Sequence, residues 1–198
     1  MRIFLTGGSG YIGSAVLDAF VKAGHKVDAL VRNSEKAGLV QARGGHPVLG
    51  DLTQPASYAD AAAAADGAVL AALDDSGRGG EVDATTLQTL LTSTDQRSRF
   101  LIYTSGVWVL GNTTSPADET APLNPPKLVA WRPPHEARVL DASSSELRTV
   151  VIRPGVVYGG SRGIVGELFK DAANSLVRVV GSGENHWPLV YDRDLADL

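Results

Sequence analysis

The feature that most constrains the fold is a glycine-rich segment at residues 6–13, which reads Thr-Gly-Gly-Ser-Gly-Tyr-Ile-Gly. A short β-rich run, Arg2–Thr6, precedes it, and Ser14–Ala23, with apolar residues at helical spacing, follows it. In such a turn the first glycine allows a tight bend, the second lets a diphosphate approach the backbone, and the third lets the helix pack against the strand. The helix N-terminus also offers unpaired N–H groups to an anion. The segment therefore predicts a dinucleotide-binding turn, with a merely structural glycine turn as the alternative.

Short apolar runs alternate with helical stretches along the rest of the chain. The predicted strands are Arg2–Thr6, Lys26–Val31, His46–Leu49, Gly67–Leu73, Arg99–Thr104, Arg148–Ile152 and Leu176–Val180. The predicted helices are Ser14–Ala23, Ala59–Ala65, Val82–Thr94, Glu136–Ser143 and Gly163–Ala173. Strands separated by helices indicate an α/β fold with a doubly wound parallel sheet, although this pattern does not fix the strand order.

Composition excludes several classes of protein. The 198 residues suggest one domain, and 43% hydrophobic residues are enough for a packed core. The net charge of -4, without a basic block, argues against nucleic acid as a partner. The absence of cysteine excludes disulfides and thiolate metal sites, and the four histidines are too scattered to bind a metal. No apolar run is long enough to cross a membrane and no room is left for a signal peptide, so we expect a cytoplasmic protein.

The end of the second predicted strand bears on the choice of nicotinamide cofactor. NAD sites usually carry an acidic residue there, to bind the ribose hydroxyl, but this strand ends in Val31-Arg32-Asn33. Asp28 lies too early in the strand to reach the ribose. Arg32, with Lys36 nearby, suits a 2′-phosphate, which favours NADP over NAD. The alternative is that Arg32 is a solvated strand-end residue stacked on adenine.

Four segments together resemble a known superfamily. They are the glycine turn at 6–13, Asp51-Leu52, the run RFLIYTSGVWVLG at 99–111, and RPGVVYG at 153–159. These segments resemble the short-chain dehydrogenase/reductase superfamily, and most of all its extended or atypical branch of NAD-dependent epimerase/dehydratase-like proteins. The segment at 181–198 is similar to the part of that branch that leads into a small substrate lobe. The resemblance covers essentially the whole chain.

The resemblance implies a Rossmann-type sheet with NAD(P) along the carboxyl edge of its strands. It places Gly7, Gly10, Tyr11 and Ile12 at the diphosphate and Arg32 at the adenosine ribose or its phosphate. It places Asp51 and Leu52 at the adenine. The remaining implied contacts are Ala71, Ala72 and Leu73 at the nicotinamide ribose, and Pro154 and Val157 near the nicotinamide.

The catalytic motif of the superfamily is not intact in this chain. The superfamily uses a serine or threonine after the fifth strand and a Tyr-x-x-x-Lys motif, in which the lysine lowers the tyrosine pKa for proton exchange. The aligned segment has Trp131 in place of the tyrosine and His135 in place of the lysine, and Ser105 lies one residue from the serine position. Indole only donates a hydrogen bond and is neither an acid nor a base near neutral pH. If a reaction takes place, His135 is the candidate proton donor and Ser105 the candidate holder of the substrate oxygen.

The prolines around this motif complicate its geometry. Pro133 and Pro134 disfavour a helical conformation for the residues before them, so the helix is expected to begin near Pro133. Trp131 would then precede the helix, and its spacing from His135 no longer guarantees a shared face. Residues 113–134 hold six prolines and are expected to cross the carboxyl edge of the sheet, where loops often carry function.

Other residues have both functional and structural interpretations. Tyr103 and Tyr158 could supply a phenol, although Tyr103 is more typical of a core strand residue. The three tryptophans either line an apolar substrate site or contribute to packing; they are Trp108, Trp131 and Trp187.

Two functions fit these observations. The first is an NAD(P)-binding, epimerase/dehydratase-like oxidoreductase with an altered Tyr–Lys site, acting on a nucleotide sugar or another small carbonyl or alcohol compound. The second is a catalytically impaired, NADP-binding sensor or regulator. A C-terminal substrate lobe, reduced or truncated, is expected to begin at about residue 160. A small-molecule substrate is the expected partner, and the sequence leaves open whether the chain forms a homodimer.

Overall fold

The computed structural model describes residues 1–74, 76–92, 99–160, 162–179 and 181–198. It contains a six-stranded, fully parallel sheet with the order β3-β2-β1-β4-β5-β6. The strands are β1 (Arg2–Thr6), β2 (Lys26–Val31), β3 (His46–Leu49), β4 (Gly67–Leu70), β5 (Arg99–Thr104) and β6 (Leu147–Ile152). This confirms the predicted doubly wound sheet and supplies the strand order, which reverses between β1 and β4.

Helices cover both faces of this sheet. Their bounds are α1 (Tyr11–Lys22), α2 (Ser34–Ala42), α3 (Ala59–Ala63), α4 (Gly79–Thr92), α5 (Arg132–Asp141), α6 (Gly163–Ala173) and α7 (Asp192–Ala196). The predicted helices correspond to five of these: α6 has the predicted bounds and the other four have shifted ends. The last two residues predicted for α4 lie outside the described residues. Sequence analysis missed α2, which begins at an N-cap where the Asn33 side chain accepts a hydrogen bond from the Lys36 N–H.

The seventh predicted strand, Leu176–Val180, is wrong. Residues 176–179 have no regular structure, and Val180 lies outside the described residues. The apolar side chains of this run are largely exposed and no strand pairs with it, so nothing stabilises an extended ladder there. Instead, β7 (Val156–Tyr158) and β8 (Leu189–Tyr191) form a separate two-stranded parallel sheet.

Two apolar clusters fix the layers of the fold. Phe4, Leu101 and Tyr103 belong to the cluster on one face of the sheet, whereas Ile3 and Leu5 belong to the cluster on the other. Adjacent residues of β1 therefore contribute to opposite clusters, as the alternation of side chains along a strand requires. None of the described helices is long and apolar enough to span a membrane.

A buried ion pair links α5 to β6. The Glu136 carboxylate, 2% exposed, accepts hydrogen bonds from Nε and an Nη of Arg153, which follows β6, and the shortest of these is 2.6 Å. An Arg–carboxylate pair with several hydrogen bonds fixes orientation as well as distance. Helix α5 is thereby held beside the carboxyl edge of the sheet, and with it the segment that contains Trp131.

The glycine turn packs without any intervening side chain. A Cβ atom on Gly13 would lie 2.1 Å from the carbonyl oxygen of Gly7, so α1 approaches the turn more closely than any other residue would allow. Gly7 has a φ of +77°, which other residues rarely adopt, and a Cβ there would lie 2.9 Å from the backbone of Ala71 and Ala72. Both glycines are therefore required by the contacts between β1, α1 and the end of β4.

Replacing Gly13 by alanine is expected to destabilise the protein. The added methyl group meets backbone atoms that cannot move independently, and overpacking of this kind costs about 1–3 kcal/mol. Gly38→Ala is the matched control, because a Cβ at Gly38 in the exposed part of α2 meets nothing within 4 Å and is expected to stabilise the helix by about 0.5–1 kcal/mol. Urea unfolding of both variants measures the difference, and equal stabilities would contradict the packing argument.

Removing Arg153 is expected to be costly because it leaves a charge buried and unpaired. Arg153→Met should lower the free energy of unfolding by about 3–5 kcal/mol, the usual cost of breaking a buried pair from one side. The double variant Glu136→Leu/Arg153→Met should recover most of that loss, since no isolated charge remains. Arg178→Met, which removes the exposed partner of Asp171, is the control and should change stability little. A double variant no more stable than Arg153→Met would contradict this account.

Candidate functional site

A cavity of about 750 Å³ opens at the carboxyl edge of the sheet. It lies beside the strand ends that follow β4, β5 and β6, next to the start of α1. Its walls come from the glycine turn, the loops after these strands, and the proline-rich segment at 113–134. Its lining includes Tyr11, Ile12, Leu73, Asp74, Gly79, Gly80, Ser105, Val107, Trp108, Lys127, Leu128, Val129, Trp131, Arg132, Pro154, Val157 and Ile164. This is the switch point of the strand order, where ligands of open α/β sheets bind.

The Thr6 side chain, which sequence analysis did not identify, shapes the crevice beside β1. The buried Thr6 hydroxyl accepts hydrogen bonds from the N–H groups of Ala71 and Ala72, at 3.1 and 3.2 Å. These bonds tie the chain that leaves β4 to the end of β1. The predicted ribose contacts Ala71 and Ala72 therefore lie directly beside Gly7, and the exposed Leu73 follows them into the cavity wall.

The glycine turn fits a diphosphate group. Gly10, the residue before α1, donates a hydrogen bond from its N–H to the Gly7 carbonyl at 2.7 Å, which closes the turn. Helix α1 has no side-chain cap and no acidic residue in its first turn, so its N-terminal N–H groups and dipole remain available to an anion. The glycine spacing between a strand and a helix predicted a dinucleotide-binding turn here, and the family resemblance placed Gly7 and Gly10 at the diphosphate.

Tyr11 connects the turn to the C-terminal part of the chain. Its hydroxyl donates to the carbonyl of Gly159 at 2.9 Å, and the Arg162 guanidinium lies 5.7 Å from its ring centroid. Burial raises the pKa of Tyr11, and the nearby Asp192 carboxylate raises it further. Both effects keep the phenol protonated, so Tyr11 shapes the cavity rather than exchanging a proton.

The residues predicted for the adenosine end lie outside the lining of this cavity. Arg32 is exposed at the end of β2. The Asp51 carboxylate accepts hydrogen bonds from the N–H and hydroxyl of Thr53, which lower the pKa of Asp51, and Arg32 lowers it by a smaller amount. Leu52 packs against one of the two apolar clusters. Arg32 and Asp51 are thus electrostatic neighbours at the predicted adenosine position, but their roles stay predictions.

Ser105 provides a polar group at the cavity wall. It follows β5, is 7% exposed, and its backbone N–H donates to the carbonyl of Ile152 at 2.8 Å. Its hydroxyl oxygen is buried and has no hydrogen-bond partner among the residues that the structure describes. A buried hydroxyl without a partner loses its bonds to water, so a ligand oxygen in the cavity would satisfy it. Pro154 and Val157, the predicted nicotinamide contacts, line the same cavity.

Trp131 and His135 are in contact, although the prolines left their shared face in doubt. Their ring centroids are 5.3 Å apart. Trp131 is the N-cap of α5 and already has φ -77° and ψ -19°, so the helical geometry extends back to it, while Pro133 and Pro134 occupy the first turn, where proline is tolerated. The indole N–H donates to the Leu128 carbonyl at 3.2 Å. Trp131 therefore forms part of the cavity wall.

His135 is directed to a different set of partners. Its Nδ1 lies 2.8 Å from Oδ2 of Asp83, and the same oxygen accepts a hydrogen bond from the Tyr103 hydroxyl at 2.8 Å. Burial raises the pKa of Tyr103, and the Asp83 charge raises it further. Tyr103 is a core residue, as its strand position suggested, and His135 is not among the residues that line the cavity. Its role as a proton donor stays a prediction.

The other aromatic candidates differ in whether they line the cavity. Trp108 lines the cavity, and the loop that carries it is tied to the proline-rich segment by a hydrogen bond from the Asn124 N–H to the Val109 carbonyl, at 3.0 Å. Trp187 and Tyr158 are not lining residues, and the Tyr158 ring packs 5.5 Å from that of Tyr191. Within the described parts of the chain, no three His, Asp or Glu side chains are grouped so that they could hold a metal ion.

The structure also brings in charged residues that no motif indicated. Lys127, Arg132 and Asp74 line the cavity. The only sequence signal for the first two was their place in or next to the proline-rich segment, which indicated a functional loop without indicating a residue. Asp74 follows the predicted end of β4 and has no motif around it.

The chain is similar to reductases of known activity. It is 36% identical over 171 residues to a 4-hydroxy-2-methyl-3-oxo-4-farnesyl-3,4-dihydroquinoline-1-oxide ketoreductase of Stigmatella aurantiaca, in an alignment covering 80% of this chain and 51% of the relative. It is 32% identical over 212 residues to a 2-alkyl-3-oxoalkanoate reductase of Stenotrophomonas maltophilia, covering 96% of this chain. The chain spans 62% of the length of this second relative.

Solved structures and a family model identify the same fold. A dTDP-glucose 4,6-dehydratase of Bacillus anthracis in complex with NAD superimposes with a TM-score of 0.84 at 19% identity, covering 99% of this chain and 69% of that one. The model of the NAD(P)H-binding family matches residues 7–175, which include the glycine turn, Ser105 and the cavity wall. The chain therefore belongs to the NAD(P)H-binding family.

Proposed function

We propose that the protein is an NADP-dependent oxidoreductase that interconverts a ketone and an alcohol on an apolar skeleton. The observation that carries this proposal is the unpartnered, buried Ser105 hydroxyl in a cavity whose neighbouring wall is apolar. That wall consists of Val107, Trp108, Leu128, Val129, Trp131 and Ile164. The reductase relatives support the proposal, because their names describe ketones on farnesyl and alkyl skeletons.

In this proposal the chain binds the cofactor and the substrate, orients them and shields them from solvent. The bound nicotinamide would supply the hydride. The N–H groups at the start of α1 and the backbone of the glycine turn hold the diphosphate. Pro154 and Val157 support the nicotinamide end, beside Ser105. The Ser105 hydroxyl donates a hydrogen bond to the carbonyl oxygen, which gains negative charge as the hydride arrives. The two tryptophans exclude water from the substrate side.

His135 takes a positioning role in this scheme. Its ring packs against Trp131 and its Nδ1 faces Asp83, so it holds the indole in the cavity wall from behind. Trp131, which belongs to the aromatic wall of the cavity, thus occupies the position of the tyrosine in the Tyr-x-x-x-Lys motif. The proton reaches the substrate oxygen from water at the mouth of the cavity.

Nucleotide sugars are less well supported as substrates than apolar ketones. Proteins bind a diphosphate-linked sugar with several charge-assisted hydrogen bonds. The substrate side of this cavity offers Lys127 and Arg132 as its described cations, and Arg132 is engaged by the Thr104 carbonyl and the Trp131 ring. The dehydratase neighbour shares the fold at 19% identity, which does not show that the two proteins share a substrate.

The second candidate function is an NADP-binding sensor or regulator without turnover. One observation favours it: the two phenols nearest the site are not free to exchange a proton. Tyr11 donates to the Gly159 carbonyl, and Tyr103 donates to Asp83 in the core. Loss of general acid–base assistance costs about 10²–10⁴-fold in rate, which would leave binding as the measurable property.

The cofactor proposal predicts tighter binding of NADPH than of NADH. A guanidinium contact to the 2′-phosphate contributes about 1.5–3 kcal/mol, which is roughly tenfold to a hundredfold in affinity. Arg32→Ala should remove most of that ratio while leaving NADH binding nearly unchanged, and calorimetric titration of both nucleotides measures it. Gly10→Val should abolish both titrations, because its side chain occupies the approach of the diphosphate. Equal affinities in the unmodified protein would contradict the NADP assignment.

The reaction proposal predicts NADPH-dependent reduction of apolar ketones. With 2-octanone as substrate, Ser105→Ala should lower kcat/KM by roughly tenfold to a hundredfold, the loss of one hydrogen bond to a developing oxyanion. His135→Gln is the matched comparison and should reduce the rate much less, because its ring does not line the cavity. A loss of about 10²-fold or more in His135→Gln would assign proton transfer to His135 instead. Tight NADPH binding without turnover of 2-octanone or UDP-glucose would favour the sensor.

A further inference from the structure

The cationic groups of the substrate cavity differ in their availability. Arg132 lines the cavity, but its Nη1 donates to the Thr104 carbonyl at 3.0 Å and its guanidinium lies 4.5 Å from the Trp131 ring centroid. Lys127 lines the same cavity and is exposed, and it makes no ion pair or side-chain hydrogen bond with any residue that the structure describes. Lys127 is therefore the available cation on the substrate side.

The carboxylate in the same lining does not neutralise this lysine. Asp74 accepts hydrogen bonds from the N–H and hydroxyl of Ser76, which lower the pKa of Asp74, and the charges of Arg32 and Arg78 lower it further. The charged groups that act on Asp74 are thus Arg32 and Arg78. Among the residues that the structure describes, no carboxylate forms an ion pair with Lys127.

The backbone around Lys127 is fixed. Lys127 begins a turn of 3₁₀ helix, Lys127–Val129, directly after two consecutive prolines. The Val129 N–H donates to the Pro126 carbonyl at 3.0 Å, and the Trp131 indole donates to the Leu128 carbonyl at 3.2 Å. These two local hydrogen bonds hold the turn in one conformation next to Trp131, so mainly the lysine side chain has to be ordered when a ligand binds.

We propose that Lys127 binds a carboxylate of the substrate, so that the substrate class is an oxo acid or hydroxy acid with an apolar chain. The proposal rests on the proposed function of the same cavity. The aliphatic stem of a lysine lies well along apolar surface while its ammonium group meets a charged group in water. A single ammonium group matches the single charge of a carboxylate, whereas phosphate groups are usually held by several donors. Ser105 then meets the keto oxygen and the tryptophans meet the chain.

Binding of octanoate and octanamide tests this role without turnover. The two probes share an apolar chain and differ in charge, and quenching of tryptophan fluorescence reports binding because Trp108 and Trp131 line the cavity. In the presence of NADP⁺, octanoate should bind about 1.5-fold to fivefold more tightly than octanamide, the range expected for a partly exposed ion pair. Lys127→Met should remove this preference and Lys127→Arg should keep it. Lys22→Met, at the far end of α1, is the control and should also keep it.

Turnover separates this inference from the proposed function. With 3-oxooctanoate, Lys127→Met should raise KM about 1.5-fold to fivefold with little change in kcat, and the methyl ester of the same acid should be insensitive to the change. If Lys127→Met keeps the octanoate preference, or the unmodified protein shows none, the carboxylate role is overturned. A fall in kcat for both compounds would overturn it too, because Lys127 would then take part in the chemistry. If neither compound oxidises NADPH, the proposed function fails and the octanoate titration still decides the role of Lys127.

Discussion

The rest of the structure depends on the contact between the glycine turn and the two elements beside it. Gly13 brings α1 onto the Gly7 carbonyl, and Gly7 lets the turn pass against the chain that leaves β4. The Thr6 hydroxyl holds that chain in place through two backbone N–H groups. A side chain at either glycine would push α1 or β4 away and change the crevice in which the strand order reverses. The shape of the crevice at the start of the cavity therefore follows from the absence of two Cβ atoms.

Much of this arrangement could be predicted because it is local. The spacing of Gly7, Gly10 and Gly13 and the apolar runs of β1, β2, β3 and β5 are short-range signals, and the structure reproduces those four strands with the predicted bounds. The strand order could not be derived from the pattern of strands, because it is fixed by contacts between elements far apart in the chain. The apolar run at 176–180 shows the opposite failure: residues of strand type do not form a strand where nothing pairs with them.

In the candidate site, the loss of the Tyr-x-x-x-Lys motif does not indicate what the replacing residues contact. The sequence showed that Trp131 and His135 replace the tyrosine and lysine, but it did not show what either residue contacts. Asp83, which accepts from both Tyr103 and His135, lies 52 residues before His135. No spacing rule connects residues at such a distance, and only the packing of α4 beside α5 brings them together. The ion pair between Glu136 and Arg153 then fixes the same helix to the sheet. Trp131 and His135 thus occupy the positions of the motif in the fold. The contact of His135 with Asp83 directs its side chain away from the cavity.

The two exposed cations Arg32 and Lys127 lie at different parts of the carboxyl edge. Arg32 follows β2, whereas Lys127 lines the same cavity as Ser105, which follows β5, and β1 and β4 lie between these two strands. Neighbouring strands are about 4.8 Å apart, so three steps across the sheet separate β2 from β5 by roughly 14 Å. That exceeds the screening length of about 8 Å at physiological salt, so each charge has little influence at the position of the other. If Arg32 selects the cofactor and Lys127 selects the substrate, as proposed, the two selections can change separately and their effects should add. The N-terminus of α1 offers the same N–H groups to the diphosphate of either cofactor, which is why the glycine turn identifies the family without identifying the substrate.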